Sequence, residues 1–189
     1  MFPMMTPPPS ERSDHIHAVH FYSDIMAMET HVAKFIWNGL QAGESVITIA
    51  TKERREGFAR QLGLAIGATG EQIEPLAHYM ALDADKVLSS CLVQAWPDKE
   101  RFFTTLERVL APAVRSGRPV RLYGEMVVRL WQRGNPEAAL RLEELWNALA
   151  QRHAFSLLCA YPMNLFQRED NQRFLDTCAL HHQIALTAA

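Results

Sequence analysis

The sequence predicts an α/β fold: a mostly parallel central sheet with helices on both faces. Three observations predict it. Pro119-Val-Arg-Leu-Tyr-Gly-Glu125 reads as a strand, Met126–Arg133 and Glu137–Arg152 as two helices split by Gly134-Asn135-Pro136, and Phe155–Pro162 as a returning strand. Strand, helices, strand is a crossover unit, and crossovers join parallel strands. Ser45-Val-Ile-Thr-Ile-Ala50 is apolar almost throughout, the pattern of a strand covered on both sides.

The remaining elements follow in order. Residues 1–14, with three consecutive prolines, are expected to be a disordered leader ahead of one domain over 15–189. His15–Tyr22 alternates and is rich in aromatic and branched residues, so it is the first strand. Ser23-Asp24 caps a helix that runs to about Leu40, with Val32, Phe35, Ile36 and Leu40 on one face. Thr51 caps the next helix, which carries Phe58 and Leu62, and Gly63–Pro75 is expected to be a connector. His78–Asp83 is a short strand and Ala84–Leu92 a brief helix. Trp96-Pro97 marks a boundary, and Asp98 caps a helix to Arg115 with Phe102, Phe103, Leu106, Val109 and Leu110 buried. Arg168–His181 is a final helix with Phe174, Leu175 and Cys178 inward, and Gln183–Leu186 a last strand.

Composition narrows the function. Of the 189 residues, 48% are hydrophobic and 21% charged, ordinary for a globular protein with a real core. A net charge of -2 provides no basic footprint, so direct nucleic-acid binding is not expected. No apolar run suits a membrane span, and the first residues lack the charged and apolar regions of a signal peptide. Cys91, Cys159 and Cys178 form no CxxC pair, which fits reduced thiols and a cytoplasmic location.

His20-Phe-Tyr-Ser-Asp24, Gly39-Leu-Gln-Ala-Gly-Glu44 and Val46–Thr51 resemble the opening of the MEDS domain, the methanogen/methylotroph DcmR-type sensory domain. Tyr123-Gly-Glu-Met126, Leu130-Trp131, Gly134-Asn135, Leu142-Glu143, Leu145-Trp146-Asn147 and Leu157–Pro162 resemble its later half, over about residues 15–186. The resemblance implies a divergent RecA/KaiC-like three-layer sandwich. It also implies sensing beside histidine kinases, response regulators or transcription regulators, with small hydrocarbon derivatives among the signals. No DNA-binding segment or kinase core accompanies these residues.

RecA-like folds usually hydrolyse nucleotides, which requires a glycine-rich loop, a Lys and a Ser/Thr. Ser23–Glu29, after the first strand, has no glycine and no lysine, and Lys52 follows the second strand without a glycine loop. No phosphate-binding loop, catalytic residue, cofactor or metal ligand set is therefore expected. The histidines His15, His17, His20, His181 and His182 lack ligand spacing and read as solvated or capping groups. Cys159 reads as buried and inert, with Cys178 near it.

Ligands of parallel sheets sit beyond the strands' carboxyl ends. Asp24, Asp83 and Glu125 each follow a predicted strand there, as helix caps or as ligands of a polar group or Mg²⁺. Tyr22, Thr51 and Tyr161 share that edge, and Trp131 lies near the Gly134 break. These seven are the expected ligand-binding set. Glu137, Arg141, Glu144, Asn147, Ala148 and Gln151 form an outer helix face that would be solvated or dock a partner. The leading expectation is a non-enzymatic sensory module with a small-molecule ligand, acting on a signalling partner or a second copy. A nucleotide- or metal-dependent hydrolase and a structural adaptor are the alternatives.

Overall fold

A computed structural model of the protein describes residues 16–69, 75–166 and 171–187; the expected leader and His15 lie outside them. Strand β1 (His17–Tyr22) leads into α1 (Ile25–Gln41), β2 (Ser45–Ala50) and α2 (Lys52–Thr69). Strand β3 (Tyr79–Asp83) and α3 (Ala84–Cys91) precede a two-residue hairpin, β4 (Leu92–Val93) and β5 (Trp96–Pro97). Then come α4 (Lys99–Arg115), β6 (Val120–Gly124), α5 (Met126–Gln132), α6 (Pro136–Ala150), β7 (Ser156–Pro162), α7 (Asn171–Ala179) and β8 (Gln183–Thr187).

Six strands form one sheet in the order β3-β2-β6-β7-β1-β8, and every pairing is parallel. Alternate side chains go to opposite faces. Val19, Phe21, Ile47, Ile49, Leu122, Leu157 and Cys159 face α3–α6, and Phe174 of α7 packs against the same core. Val46, Ala50, Tyr123, Leu158 and Ala160 face α1 and α2, through Met28, Val32, Ile36, Phe58 and Leu62. The result is the expected three-layer sandwich.

Asp24, Asp83 and Asp98 cap α1, α3 and α4 by accepting backbone N–H groups of Ala27, Lys86 and Arg101. Asn135 does the same for α6, with Pro136 in the first turn where its missing N–H costs nothing. Three details depart from expectation. Helix α2 runs on through Gly63, an exposed helical glycine that costs only about 1 kcal/mol. Leu175 is 58% exposed, because the inward stripe of α7 is Phe174, Thr177 and Cys178. The β4–β5 hairpin turns through Gln94 and Ala95 at φ 48° and 64°, so no glycine announces it.

Chain direction across the sheet sets where crevices form at the strands' carboxyl ends. From β1 and β2 the chain moves one way, crossing over the α1/α2 face; from β3, β6 and β7 it moves the other way, over the opposite face. Neighbouring strands whose outgoing connections part to opposite faces leave a crevice at their carboxyl ends. This happens at the β3/β2 edge pair, where Arg55 reaches across to Asp83, and at two interior pairs, β2/β6 and β7/β1.

Candidate functional site

The β2/β6 crevice is filled by the chain itself. Glu125, 6% exposed, follows β6; its Oε2 accepts the Thr51 N–H at 2.6 Å, and its own N–H donates to Ile49 O at 2.9 Å. The expected use of Glu125 as cap of the helix that follows does not occur: it makes no side-chain bond to α5 and serves the start of α2 instead. Burial raises the Glu125 carboxyl, opposed by the Thr51 hydrogen bonds and the charge of Arg54. Arg54 Nε lies 3.7 Å from Glu125 Oε1, and Arg54 Nη1 donates to Glu29 Oε1 at 3.2 Å. Glu29 is 4% exposed and fits only because residue 57 is glycine: a Cβ there would overlap its carboxylate.

The β7/β1 crevice is open. It holds a cleft of about 430 Å³ lined by Tyr22, Ser23 and Ile25 after β1, and by Pro162, Met163, Asn164 and Leu165 after β7. Arg54 and Gln132 close its sides. The walls are apolar at Ile25, Pro162, Met163 and Leu165, with polar groups on Tyr22, Ser23, Arg54, Asn164 and Gln132. Burial raises the Tyr22 hydroxyl, with the Arg54 charge opposing.

The seven expected site residues divide accordingly. Tyr22 lines the cleft, and Thr51 and Glu125 form the plug that holds Arg54 beside it. Asp24 is a helix cap; Asp83 is a cap that also accepts from Arg55 Nη2 at 3.1 Å. Asp24, Asp83 and Glu125 thus do not form the carboxylate group that Mg²⁺ would need. Trp131 is buried edge-on to Phe166, ring centres 4.9 Å apart. Tyr161 is fully buried, and its hydroxyl bonds Glu143 instead of lining the cleft.

That hydroxyl leads to a group of residues the sequence does not reveal. Tyr161 Oη donates to Glu143 Oε1 at 2.8 Å, and Glu143 is completely buried. His17 Nε2 lies 3.2 Å from Glu143 Oε2, and His181 Nε2 lies 3.4 Å from Oε1. Cys159 Sγ is 3.6 Å from both His17 Nε2 and Glu143 Oε2. Burial alone would raise the Glu143 carboxyl, but the charge of His181 and the hydrogen bond from His17 outweigh it and hold it below the usual range. Burial opposes charge on His181 too, but Glu143 wins and raises it. Burial, then the Glu143 charge, pushes the Cys159 thiol and the Tyr161 hydroxyl far up.

His17, His20 and His181 are therefore interior groups, correcting their expected solvated role: their exposures are 0%, 0% and 8%. Asn147, read as part of an outer face, turns inward, with Oδ1 2.7 Å from His17 Nδ1. Cys159 is buried as expected but contacts ionisable groups on two sides. Four donors from β1, α6, β7 and the turn before β8 come together only in three dimensions. The one linear hint was Glu143 inside an apolar helix face between Leu142 and Leu145.

A six-stranded, all-parallel sheet covered by helices on both faces, with one plugged and one open interior switch-point crevice, defines the class of protein as doubly covered α/β. The sequence profile of the MEDS family, the methanogen/methylotroph, DcmR sensory domain, matches residues 16–182, and the chain belongs to that family. No curated protein matches the sequence. No helix among the described residues is long and apolar enough to cross a membrane.

Proposed function

We propose that this chain is a non-catalytic sensory module that holds a small uncharged molecule of mixed polarity in the crevice between β1 and β7. Membership of a sensory family supports the general role. The single observation that supports the site is that the open crevice at the carboxyl edge is lined from both sides of a topological switch point. Among the described residues its one cation, Arg54, already faces Glu29 and Glu125. An anionic ligand such as a triphosphate would have to displace those carboxylates, whereas a neutral ligand could accept a hydrogen bond without disturbing them. Four apolar side chains favour a short hydrocarbon portion.

The crevice touches the start of α1 at Ile25, the end of α5 at Gln132 and the helical turn Met163–Leu165. A ligand that binds one arrangement of these elements better than another shifts their population by its differential affinity. The output is altered contact with a histidine kinase, a response regulator, a transcription regulator or a second copy. The test is calorimetry of the full chain against small alcohols, ketones and halogenated hydrocarbons, with ATP and GTP alongside. A neutral compound should bind wild type and fail to bind Leu165→Trp, which fills the crevice, while circular dichroism is unchanged. Equal binding to both proteins, or tight binding of ATP alone, would defeat the reading.

A further inference from the structure

We propose that His17, Glu143, Cys159 and His181 form an internal tetrahedral site for a divalent transition-metal ion of the zinc type. The site is separate from the crevice and does not depend on what the crevice binds. One ligand atom from each residue can be chosen so that all four lie within 4.8 Å of one another, and all four residues are buried. Among the described residues this is the one such group.

The spacing of three of the four ligand atoms already fits an ion, and His181 borders them through the other Glu143 oxygen. Ligands about 2.0–2.3 Å from a tetrahedral zinc lie about 3.3–3.7 Å from each other. Here His17 Nε2 to Glu143 Oε2 is 3.2 Å, and Cys159 Sγ is 3.6 Å from each of those atoms. His181 Nε2 lies 3.4 Å from Glu143 Oε1 and, among the described contacts, has no aligned hydrogen-bond partner. It is a buried imidazole nitrogen aimed into the group without a directed bond.

The surroundings orient both imidazoles as metal ligands. Asn147 Nδ2 donates to Leu180 O at 2.9 Å, which turns Oδ1 toward His17 as an acceptor. His17 Nδ1 therefore carries an N–H, and Nε2, which donates to Glu143 in the metal-free chain, would present its lone pair to an ion once that proton is released. His181 Nδ1 lies 2.7 Å from Thr177 O, a carbonyl that can only accept, so its Nε2 likewise faces inward. Oxygen partners on the far nitrogen are the outer-shell arrangement of metal-bound histidine. Tyr161 Oη fixes the carboxylate in the same manner.

The charges also balance. A divalent cation with one carboxylate, one thiolate and two neutral imidazoles is neutral overall, which a fully buried site requires. Binding releases the Cys159 proton, and any proton that a histidine shares with Glu143, to the buffer. The mixed N, O and S donors suit zinc, cobalt or nickel over magnesium or calcium. Four protein ligands leave no open position, so the ion would be structural or regulatory. It would tie β1, β7 and α6 to the turn before β8, with β7 ending one residue beyond Tyr161 at the crevice wall.

The test uses the full chain stripped by a chelator and titrated with Co²⁺ and, against a chromogenic competitor, with Zn²⁺. One ion per chain should bind, with the intense visible bands of tetrahedral cobalt and a near-ultraviolet thiolate-to-cobalt band. Cys159→Ser should lose the thiolate band and Cys178→Ser should keep it. Asn147→Ala should weaken binding about 10–100-fold with the band retained. If Cys159→Ser does not fold, X-ray absorption of the zinc-loaded wild type decides, with one sulfur and three nitrogen or oxygen neighbours expected. Binding below one ion per chain, a sulfur-free shell, or a thiolate band that survives Cys159→Ser would overturn the proposal.

Discussion

Replacing Gly57 by alanine tests how Arg54 is held beside the crevice. A Cβ at 57 overlaps the buried Glu29 carboxylate, so either that carboxylate leaves Arg54 or α1 and α2 separate. Overpacking of this kind costs about 1–3 kcal/mol, and separating a buried ion pair costs about 3–5 kcal/mol when nothing relaxes. Partial relaxation of Glu29, and the helix-forming advantage of alanine of about 1 kcal/mol, act against these costs. The expected net loss is about 1–3 kcal/mol. Gly63 is an internal control on the same helix, since a Cβ there meets nothing within 4 Å. Gly63→Ala should therefore stabilise by about 0.5–1 kcal/mol. Urea denaturation with an unchanged slope measures both, and a loss of about 2 kcal/mol lowers Tm by about 4–8 °C in a domain this size. Adding Glu29→Ala to Gly57→Ala should recover most of the Gly57→Ala loss relative to Glu29→Ala alone. Gly57→Ala as stable as Gly63→Ala, or strict additivity with Glu29→Ala, would refute the reasoning.

The two capping aspartates should differ. Asp24→Ala should cost about 1 kcal/mol, and Asp83→Ala about 2 kcal/mol because it also releases Arg55; equal losses in thermal melts would count against the Arg55 pair. Burial, then the charge of His31, lowers His20 to about 4. The folded state therefore binds fewer protons than the unfolded chain between about pH 6.5 and 4, and His20 costs stability as pH falls through that window. Allowing for the solvent around exposed His31, wild type should lose about 1 kcal/mol more than His20→Gln between pH 7 and 5, read by urea titration at each pH. Parallel pH profiles would contradict this. In native protein a thiol reagent should modify partly exposed Cys178 first and reach buried Cys91 and Cys159 only on unfolding. Three equally fast thiols would mean that the core opens readily.

The layers were readable in the linear chain because they rest on local rules. The apolar run at Ser45–Ala50 marked a doubly covered strand, alternation marked β1, and Asp24, Asp83 and Asp98 marked helix starts by chemistry confined to three residues. Local rules also failed locally. Gly63 suggested a connector where neighbouring turns carry the helix onward, and Gln94-Ala95 turns a hairpin without the usual turn residues. At the carboxyl edge the sequence placed Tyr22, Thr51 and Glu125 together, but not that Glu125 would close one crevice and leave another open.

Local sequence patterns alone therefore determined the fold class and the helix starts, because each depends on residues a few positions apart. Only the tertiary structure decided which crevice stays open and that His17 meets Glu143, Cys159 and His181. His17 and Cys159 are 142 positions apart, and no periodicity records which residues of separate elements will share a buried volume. Their shared environment is set by strand order, which places β1 beside β7, and by the helix that packs across both.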